Sequence, residues 1–190
     1  MAVGFVRPAR PDDAGEIARI QLTTWRVAYR RVLPRHVLDE IEEPFLAQRW
    51  QEAVTAPPTP RHRVLVAVEQ TAAEQAVQEY VVGFAASGPF DEGALAPGED
   101  HTAGRDGVAA ITDMLVEPRW GRRGHGSRLL AASVDLWREG GFTSAVCWAF
   151  DADAATRKFL TSAGWAPDGA TRALDVDDLL VPQLRLHTTL

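Results

Sequence analysis

The chain has 190 residues and a formal net charge of −6, with 46% hydrophobic and 24% charged residues. A chain of this length can form one domain that buries roughly 70% of its unfolded surface. The acidic balance argues against general nucleic-acid binding, because that function needs a basic surface. Cys147 is the single cysteine, which excludes an intrachain disulfide and a cysteine-based metal site.

No secretory signal is expected, since the first residues lack a long apolar segment after a basic start. No apolar run approaches the ~18 residues that span a bilayer. We therefore expect a cytoplasmic protein that binds no membrane, no nucleic acid and no metal. Predicted strands and helices alternate without repeats or linkers, which indicates one α/β domain over residues 1–190.

The first third of the chain is predicted to be a strand over residues 3–7 followed by three helices. The first helix is capped by Asp12, and its apolar side carries Ala14, Ile17, Ala18, Ile20 and Trp25. The second begins near Pro34, with Val37, Leu38 and Ile41 as its apolar residues. The third begins at Pro44 and ends before residues 57–60, with one face formed by Phe45, Leu46 and Trp50.

The middle of the chain is predicted to contribute a hairpin of strands 63–69 and 77–87, joined by residues 70–75. Residues 89–107 lack apolar periodicity, so they form either a mobile flap or surface disorder. Residues 108–116 are apolar on both faces, which is typical of a central strand. A predicted helix follows, with Leu130, Val134 and Trp137 buried beside Leu129, Ser133 and Leu136. A strand at 144–150 and a helix at 154–163 come next. The chain then ends in a predicted antiparallel pair of strands at 171–176 and 181–188.

Residues 116–130, called here the Gly/Arg segment, contain Gly121, Gly124, Gly126 and four arginines between the central strand and a helix. Glycines let backbone amides crowd around an anion, and a helix N-terminus and arginines add positive charge. The segment therefore predicts a site for a phosphate-bearing cofactor. A Walker loop needs Gly-Lys-Ser/Thr, and a dinucleotide fingerprint follows the first strand of a fold, so neither pattern fits.

Three parts of the sequence resemble the GNAT (GCN5-related) N-acetyltransferase superfamily. Leu115-Val-Glu-Pro118 and Gly121-Arg-Arg-Gly-His-Gly126 are similar to its strand end and its Arg/Gln-x-x-Gly-x-Gly/Ala signature. Residues 154–165 resemble its N-x-x-A-x-x-F-Y-x-x-x-G-F helix, and residues 25–34 a subgroup's W-x-x-A-Y-R-G-x-L-P motif. The resemblance implies an α/β GNAT fold, a mixed central β-sheet flanked by helices, in which strands 4 and 5 splay apart.

The resemblance also implies acetyl-CoA as the acyl donor. Its pyrophosphate is expected on the backbone of Arg122, Arg123, Gly124, His125, Gly126 and Ser127. Its pantetheine arm is expected along Met114, Leu115 and Val116, with Asp153 at the position of the family's asparagine. The amide of Val116 is a candidate donor to the oxyanion, and the His125 side chain is expected to pack inward.

Two positions depart from the family pattern. Gly121 replaces the signature's first Arg or Gln, so Arg122 or Arg123 is expected to brace the loop instead. Leu160 replaces the tyrosine that protonates the departing thiolate, and neither Tyr29 nor Tyr80 lies on that helix. The general acid is therefore unassigned, with water as one alternative.

For the acceptor side, Asp113 is placed by alternation on the same face of its strand as Ile111 and Leu115. Burial would raise its pKa and suit it to accept a proton from an ammonium group; the alternative is a structural carboxylate. His36 and His101 are weaker candidates for the base, and Cys147 is interpreted as a small core residue. Trp25 and Tyr29 share a helical face, as part of either the acceptor pocket or the core.

The resulting hypothesis is an N-acetyltransferase that moves an acetyl group from acetyl-CoA to a primary amine in a ternary complex. A small-molecule acceptor is expected, while a peptide N-terminus or a lysine is also open. The alternative is a non-catalytic acyl-CoA sensor, which Leu160 favours; a nucleotide-binding protein is a weaker third. The family makes a homodimer plausible.

Overall fold

A computed structural model describes residues 3–72, 77–100 and 105–190. Its seven strands form one sheet in the order β1-β2-β3-β4-β5-β7-β6. The strands are β1 (Val3–Pro8), β2 (Arg63–Ala72), β3 (Val77–Pro89), β4 (Val108–Val116), β5 (Ser144–Phe150), β6 (Ala166–Val176) and β7 (Leu179–Thr189). The helices are α1 (Ala14–Ala28), α2 (Arg35–Glu40), α3 (Glu43–Thr55), α4 (His125–Glu139) and α5 (Ala154–Ser162).

The sheet is mixed, as the resemblance implies. All neighbouring strands run antiparallel except β4 and β5, which pair in parallel between residues 108–111 and 144–147. No further β4–β5 pairs form beyond Ile111 and Cys147 among the described residues. The two strands therefore splay apart toward their carboxyl ends, which confirms the predicted fold.

Each face of the sheet is covered by a pair of helices. Helices α1 and α3 pack on one face through Ile17, Leu46 and Trp50, which lie against Phe84 of β3. Helices α4 and α5 cover the other face, where Leu130, Trp137 and Leu160 join one cluster of buried side chains. None of the described helices is long and apolar enough to cross a membrane.

Some predicted boundaries and faces were wrong. Strand β2 extends to Ala72, through the first half of the predicted connection, and β6 begins at Ala166 with a bulge between Pro167 and Thr171. Phe45 is 58% exposed although Leu46 and Trp50 are buried. Leu46 and Trp50 are four residues apart and share a helical face, whereas Phe45 is rotated about 100° from Leu46.

The segment between β3 and β4 is anchored where it is described. A 3-10 turn at Glu92–Ala94 buries Ala94, whose carbonyl accepts hydrogen bonds from Trp148 and Arg185. Glu99 is ion-paired with Arg105 and Arg185. These contacts join the described part of the predicted flap or disordered segment, residues 89–100 and 105–107, to β5 and β7. His101 lies outside the described residues.

A β-bulge at Thr112 changes which side chains of β4 share a face. Ala86 of β3 pairs with Asp113 and the next residue pairs with Ile111, which leaves Thr112 as an extra residue. Ile111 therefore packs with α4 and α5, whereas Leu115 packs on the α1 side. Asp113 shares its face with Leu115 but not with Ile111, so the prediction from simple alternation was wrong for Ile111.

Two phenylalanines test this assignment of the core. Replacing fully buried Phe84 with alanine is expected to lower the free energy of unfolding by about 3–5 kcal/mol, because it leaves a cavity under α3. The matched substitution Phe45→Ala is expected to change it by less than about 0.5 kcal/mol, because that ring is exposed. Denaturant unfolding measures both, and equal losses would contradict the assignment.

Candidate active site

A cavity of about 400 Å³, called here the cleft, opens where β4 and β5 separate. One wall comes from the end of α1, the following loop and α2, and another from β4 and β5. The remaining walls come from α5 and from the β6–β7 hairpin. At this point the sheet lacks inter-strand hydrogen bonds, so a ligand can reach backbone groups of β4 that a continuous sheet would occupy.

Asp113 lines the cleft and is held by two successive hydrogen bonds that begin at α3 and pass through α1. The indole Nε1 of Trp50 donates to Gln21 Oε1 at 2.8 Å, and Gln21 Nε2 donates to Asp113 Oδ1 at 3.4 Å. Burial raises the pKa of Asp113 to about 6, against the opposing effects of a Thr112 hydrogen bond and the positive charge of Arg49. Asp113 is thus a carboxylate that can exchange a proton near neutral pH.

Tyr29 and Trp25 also line the cleft. The Tyr29 ring meets Phe150 of β5 edge-on, with centroids 4.9 Å apart. Burial, followed by the negative charges of Asp153 and Asp113, raises the pKa of Tyr29. Trp25 belongs to none of the buried clusters in the described structure, so its position favours the pocket over the core.

The end of β4 presents backbone amides to the gap. Glu117 N donates to Val82 O of β3 at 2.9 Å, and successive N–H groups of a strand point to opposite sides. The amides of Val116 and Met114 therefore point away from β3, toward the separated β5. The side chains of Met114 and Val116 pack on the α4 side, whereas that of Leu115 packs on the α1 side.

The start of the Gly/Arg segment is fixed by ion pairs to the buried carboxylate of Glu117. Arg19 of α1 binds Glu117 through both terminal nitrogens at 3.1 Å, and Arg119 Nε lies 2.8 Å from Glu117 Oε1. The bidentate contact joins α1 to the residue that follows β4. Hydrogen bonding to Arg19 lowers the pKa of Glu117 despite its burial, so this carboxylate stays charged.

The rest of the segment forms a concave array of amides. Arg122 and Gly124 have positive φ values of 62° and 81°, and α4 begins at His125. The N–H groups of His125, Gly126 and Ser127 lie in the first turn of α4, where a helix provides them no carbonyl partner. Arg128 Nη1 donates to Arg123 O at 3.1 Å and braces the turn. These donors fit a phosphate group.

The His125 side chain points inward, beneath this array. It is 1% exposed, and its Nε2 lies 3.2 Å from the buried Glu69 Oε2. Burial lowers the pKa of His125. The imidazole therefore packs inside, as the resemblance implied, and its backbone amide lies in the first turn of α4. Arg123 lies over Trp120 at 4.8 Å and 3.8 Å from Glu69, which places it to brace the turn in place of the residue missing at Gly121.

Of the remaining predicted residues, Asp153, Leu160 and Cys147 also line the cleft, whereas His36 does not. Asp153 caps α5 by accepting hydrogen bonds from Thr156 N and Oγ1, and Leu160 is buried. Burial raises the pKa of Cys147 to about 12, which disfavours a reactive thiolate. His36 is exposed and bonds to Asp177 at 2.6 Å, where it joins α2 to the β6–β7 hairpin rather than facing the cleft.

The family model for the acetyltransferase (GNAT) family matches residues 21–165 of this chain. The chain belongs to this family. An uncharacterized N-acetyltransferase of Bacillus subtilis (strain 168), YuaI, is 25% identical over 146 residues, or 77% of this chain and 71% of that protein. The match with the family model spans both the α1 side of the cleft and the Gly/Arg segment.

Solved structures share the GNAT fold over nearly the whole chain. The protein yncA of Salmonella typhimurium, solved with its cofactor acetyl-CoA, has a TM-score of 0.66 at 15% identity, covering 98% of this chain and 94% of that one. The paia N-acetyltransferase of Thermoplasma acidophilum, solved with coenzyme A, has a TM-score of 0.64 at 10% identity, covering 99% of both chains.

Several supporting residues of this GNAT protein were missed from the sequence. Gln21 and Trp50 hold Asp113, and Glu69 and Arg128 support the amide array. Their partners lie far away along the chain, so no local pattern indicates them. Arg128 was visible as one of four arginines in the Gly/Arg segment, but its bond to Arg123 O depends on the loop conformation.

The raised pKa of Asp113 predicts a pH-dependent cost to stability. Its folded-state pKa of about 6 exceeds the ordinary 3.8, so the unfolded chain releases this proton first as pH rises. Ionisation between about pH 4 and 6 therefore favours unfolding. The free energy of unfolding of Asp113→Asn, relative to the unsubstituted chain, should increase over this range by about 2 kcal/mol. Denaturant titrations at several pH values measure it, and a pH-independent difference would refute it.

Proposed function

We propose that this protein transfers the acetyl group of acetyl-CoA to the primary amine of a small molecule within a ternary complex. The observation that carries this proposal is the gap between β4 and β5 in the described sheet. A proton-accepting carboxylate, Asp113, lies on one side of it, and an array of phosphate-binding amides follows β4 on the same edge. Membership of the GNAT family supports the same reaction.

The donor half of the site is built from the backbone. The amides of residues 122–127 suit the pyrophosphate, and the free edge of β4 at Met114 and Val116 suits the amide-bearing pantetheine arm. The N–H of Val116 is placed to stabilise negative charge that develops on the thioester oxygen. Leu115, whose backbone pairs with Phe84 of β3, and Asp153, which caps α5, line the cleft beside this edge.

The acceptor half depends on Asp113. With a pKa of about 6 this carboxylate is ionised at neutral pH and can accept the proton that the attacking amine must lose. As the nitrogen bonds to the acetyl carbon, the carbon–sulfur bond breaks and the thiolate leaves. Leu160 offers that thiolate no proton, so we assign its protonation to water. Trp25 and Tyr29 form the wall against which the acceptor lies.

A non-catalytic acyl-CoA sensor is the second candidate, and buried Leu160 in the tyrosine position is the observation that favours it. The two functions differ in one readout. The enzyme releases free CoA thiol from acetyl-CoA only when an amine is added, and a thiol-reactive dye detects it. Tight acetyl-CoA binding without release for any amine would identify the sensor.

The donor site is tested by substituting two glycines of equal backbone conformation. Gly124→Val is expected to raise the Kd for acetyl-CoA on the order of tenfold or more, because valine disfavours the φ of +81° in the amide array. Gly98→Val introduces the same strain at φ +82°, in open space outside the Gly/Arg segment, and should leave the Kd unchanged. Calorimetric titration measures both; equal weakening would count against the site.

The base is tested by Asp113→Asn, with exposed Asp12→Asn as the control. The kcat/KM of the unsubstituted enzyme should rise with pH through about 6, as Asp113 becomes ionised. Asp113→Asn should reduce kcat/KM by about 10²- to 10⁴-fold and remove that limb of the profile. Asp12→Asn should preserve both. Retention of the limb in Asp113→Asn would show that another group titrates.

A further inference from the structure

A second, smaller cavity of about 220 Å³ adjoins the cleft on its acceptor side. The two cavities lie against the same part of the sheet, since both are lined by Ile111, Thr112, Cys147, Trp148 and Gln183. The smaller cavity, called here the side chamber, also contains Arg172 of β6 and the 3-10 turn after β3. The side chamber therefore places a cation next to the cleft.

Arg172 is held firmly by partners that do not neutralise it. Its Nε donates to Gln183 Oε1 and its Nη1 to Gly93 O, both at 2.7 Å. Its guanidinium lies 4.2 Å from the centroid of the Trp148 ring. Each partner is uncharged, and among the described residues Arg172 forms no ion pair. The head group is fixed in position while its charge remains uncompensated.

The neighbouring Arg185, in contrast to Arg172, has its positive charge neutralised by carboxylates. Arg185 lies near the same indole at 5.6 Å, but it is ion-paired with Glu99 and with Asp168, each at 2.7 Å. The other charged side chain lining the chamber, Asp91, is exposed and makes no described ion pair with Arg172. Burial and the charge of Arg185 lower the pKa of Arg172, the opposite of what a resident carboxylate partner would do.

The position of this cation relative to Asp113 limits the acceptor. Trp148, over which Arg172 lies, is on β5, the strand that borders the gap opposite Asp113 of β4. The cleft therefore contains a proton-accepting carboxylate, and the adjoining side chamber contains a cation that has no ion-pair partner among the described residues.

We propose that the acceptor is an amino acid, whose carboxylate binds the Arg172 guanidinium while its amine lies beside Asp113. This inference rests on the proposed acetyl transfer and adds the substrate class. Guanidinium groups recognise carboxylates through directed, charge-assisted hydrogen bonds. The Nη2 group, which has no hydrogen bond within the described ranges, supplies the free donors. Arg172 is in this account a specificity-determining residue, and Trp148 and Gln183 orient it.

Matched amine pairs test the proposal. The enzyme and acetyl-CoA are incubated with one amine at a time. The amines are the common L-amino acids, β-alanine and γ-aminobutyrate. Each is compared with a neutral counterpart, which is either its carboxamide or the amine left after removal of its carboxylate. For the accepted compound, kcat/KM is expected to exceed that of its neutral counterpart by about 10- to 100-fold. Arg172→Leu should bring this ratio near one, and Arg172→Lys should restore part of it. Arg157→Leu, which removes a guanidinium paired with Asp151 outside both cavities, should keep the ratio.

The ratio of the two kcat/KM values distinguishes a loss of carboxylate recognition from damage to the fold, because general damage lowers kcat/KM for the acid and for its neutral counterpart together. A ratio near one in the unsubstituted enzyme, or an unchanged ratio in Arg172→Leu, overturns the proposal. If no amine is acetylated, the proposed function fails, and a thermal shift with CoA and N-acetyl amino acids decides this inference. The inference is supported if N-acetyl amino acids raise the Tm of the CoA complex more than their carboxamides do, and if Arg172→Leu removes this difference. Equal increases in Tm for acids and carboxamides overturn it.

Discussion

The separation of β4 from β5 after Ile111 and Cys147 is the constraint on which the site depends. Parallel pairing holds the two strands together at their amino ends, where Ala109 and Ala145 are buried in a shared cluster. The bulge at Thr112 then shifts β4 by one residue, so Asp113 faces α1 while Met114 faces α4. One extra residue therefore turns the Asp113 side chain toward α1, on the opposite face of the sheet from Ile111.

The charged groups around the gap are arranged in two ways. Charges that support the fold are paired, as Glu117 is with Arg19 and Arg185 is with Glu99. Asp113 and Arg172 instead have mainly uncharged hydrogen-bonding partners, and the buried environment shifts the pKa of each toward its neutral form. Fixed but uncompensated charges are costly in a folded chain unless a ligand binds them. Their presence in two adjoining cavities is the physical basis for the proposed chemistry.

The fold was largely predictable because its signals are local. The apolar strand 108–116, the glycines of the Gly/Arg segment and the helical spacing of Leu46 and Trp50 each reflect neighbours in the chain. The bulge at Thr112 was not predictable, since alternation assumes a regular strand. The anchoring of residues 89–100 was missed because Glu99 finds its partner 86 positions away, at Arg185. The support of Asp113 by Gln21 likewise depends on tertiary structure.

The most direct test of whether acetyl-CoA binds along the free edge of β4 is the rate of hydrogen exchange between solvent and the backbone amides of Met114 and Val116. NMR can follow both with and without saturating acetyl-CoA, with the Glu117 amide, which already donates to Val82 O, as the internal reference. The account predicts that acetyl-CoA slows exchange at Met114 and Val116 by about tenfold or more, with a much smaller change at Glu117. Saturated binding with unchanged exchange at both amides would contradict it.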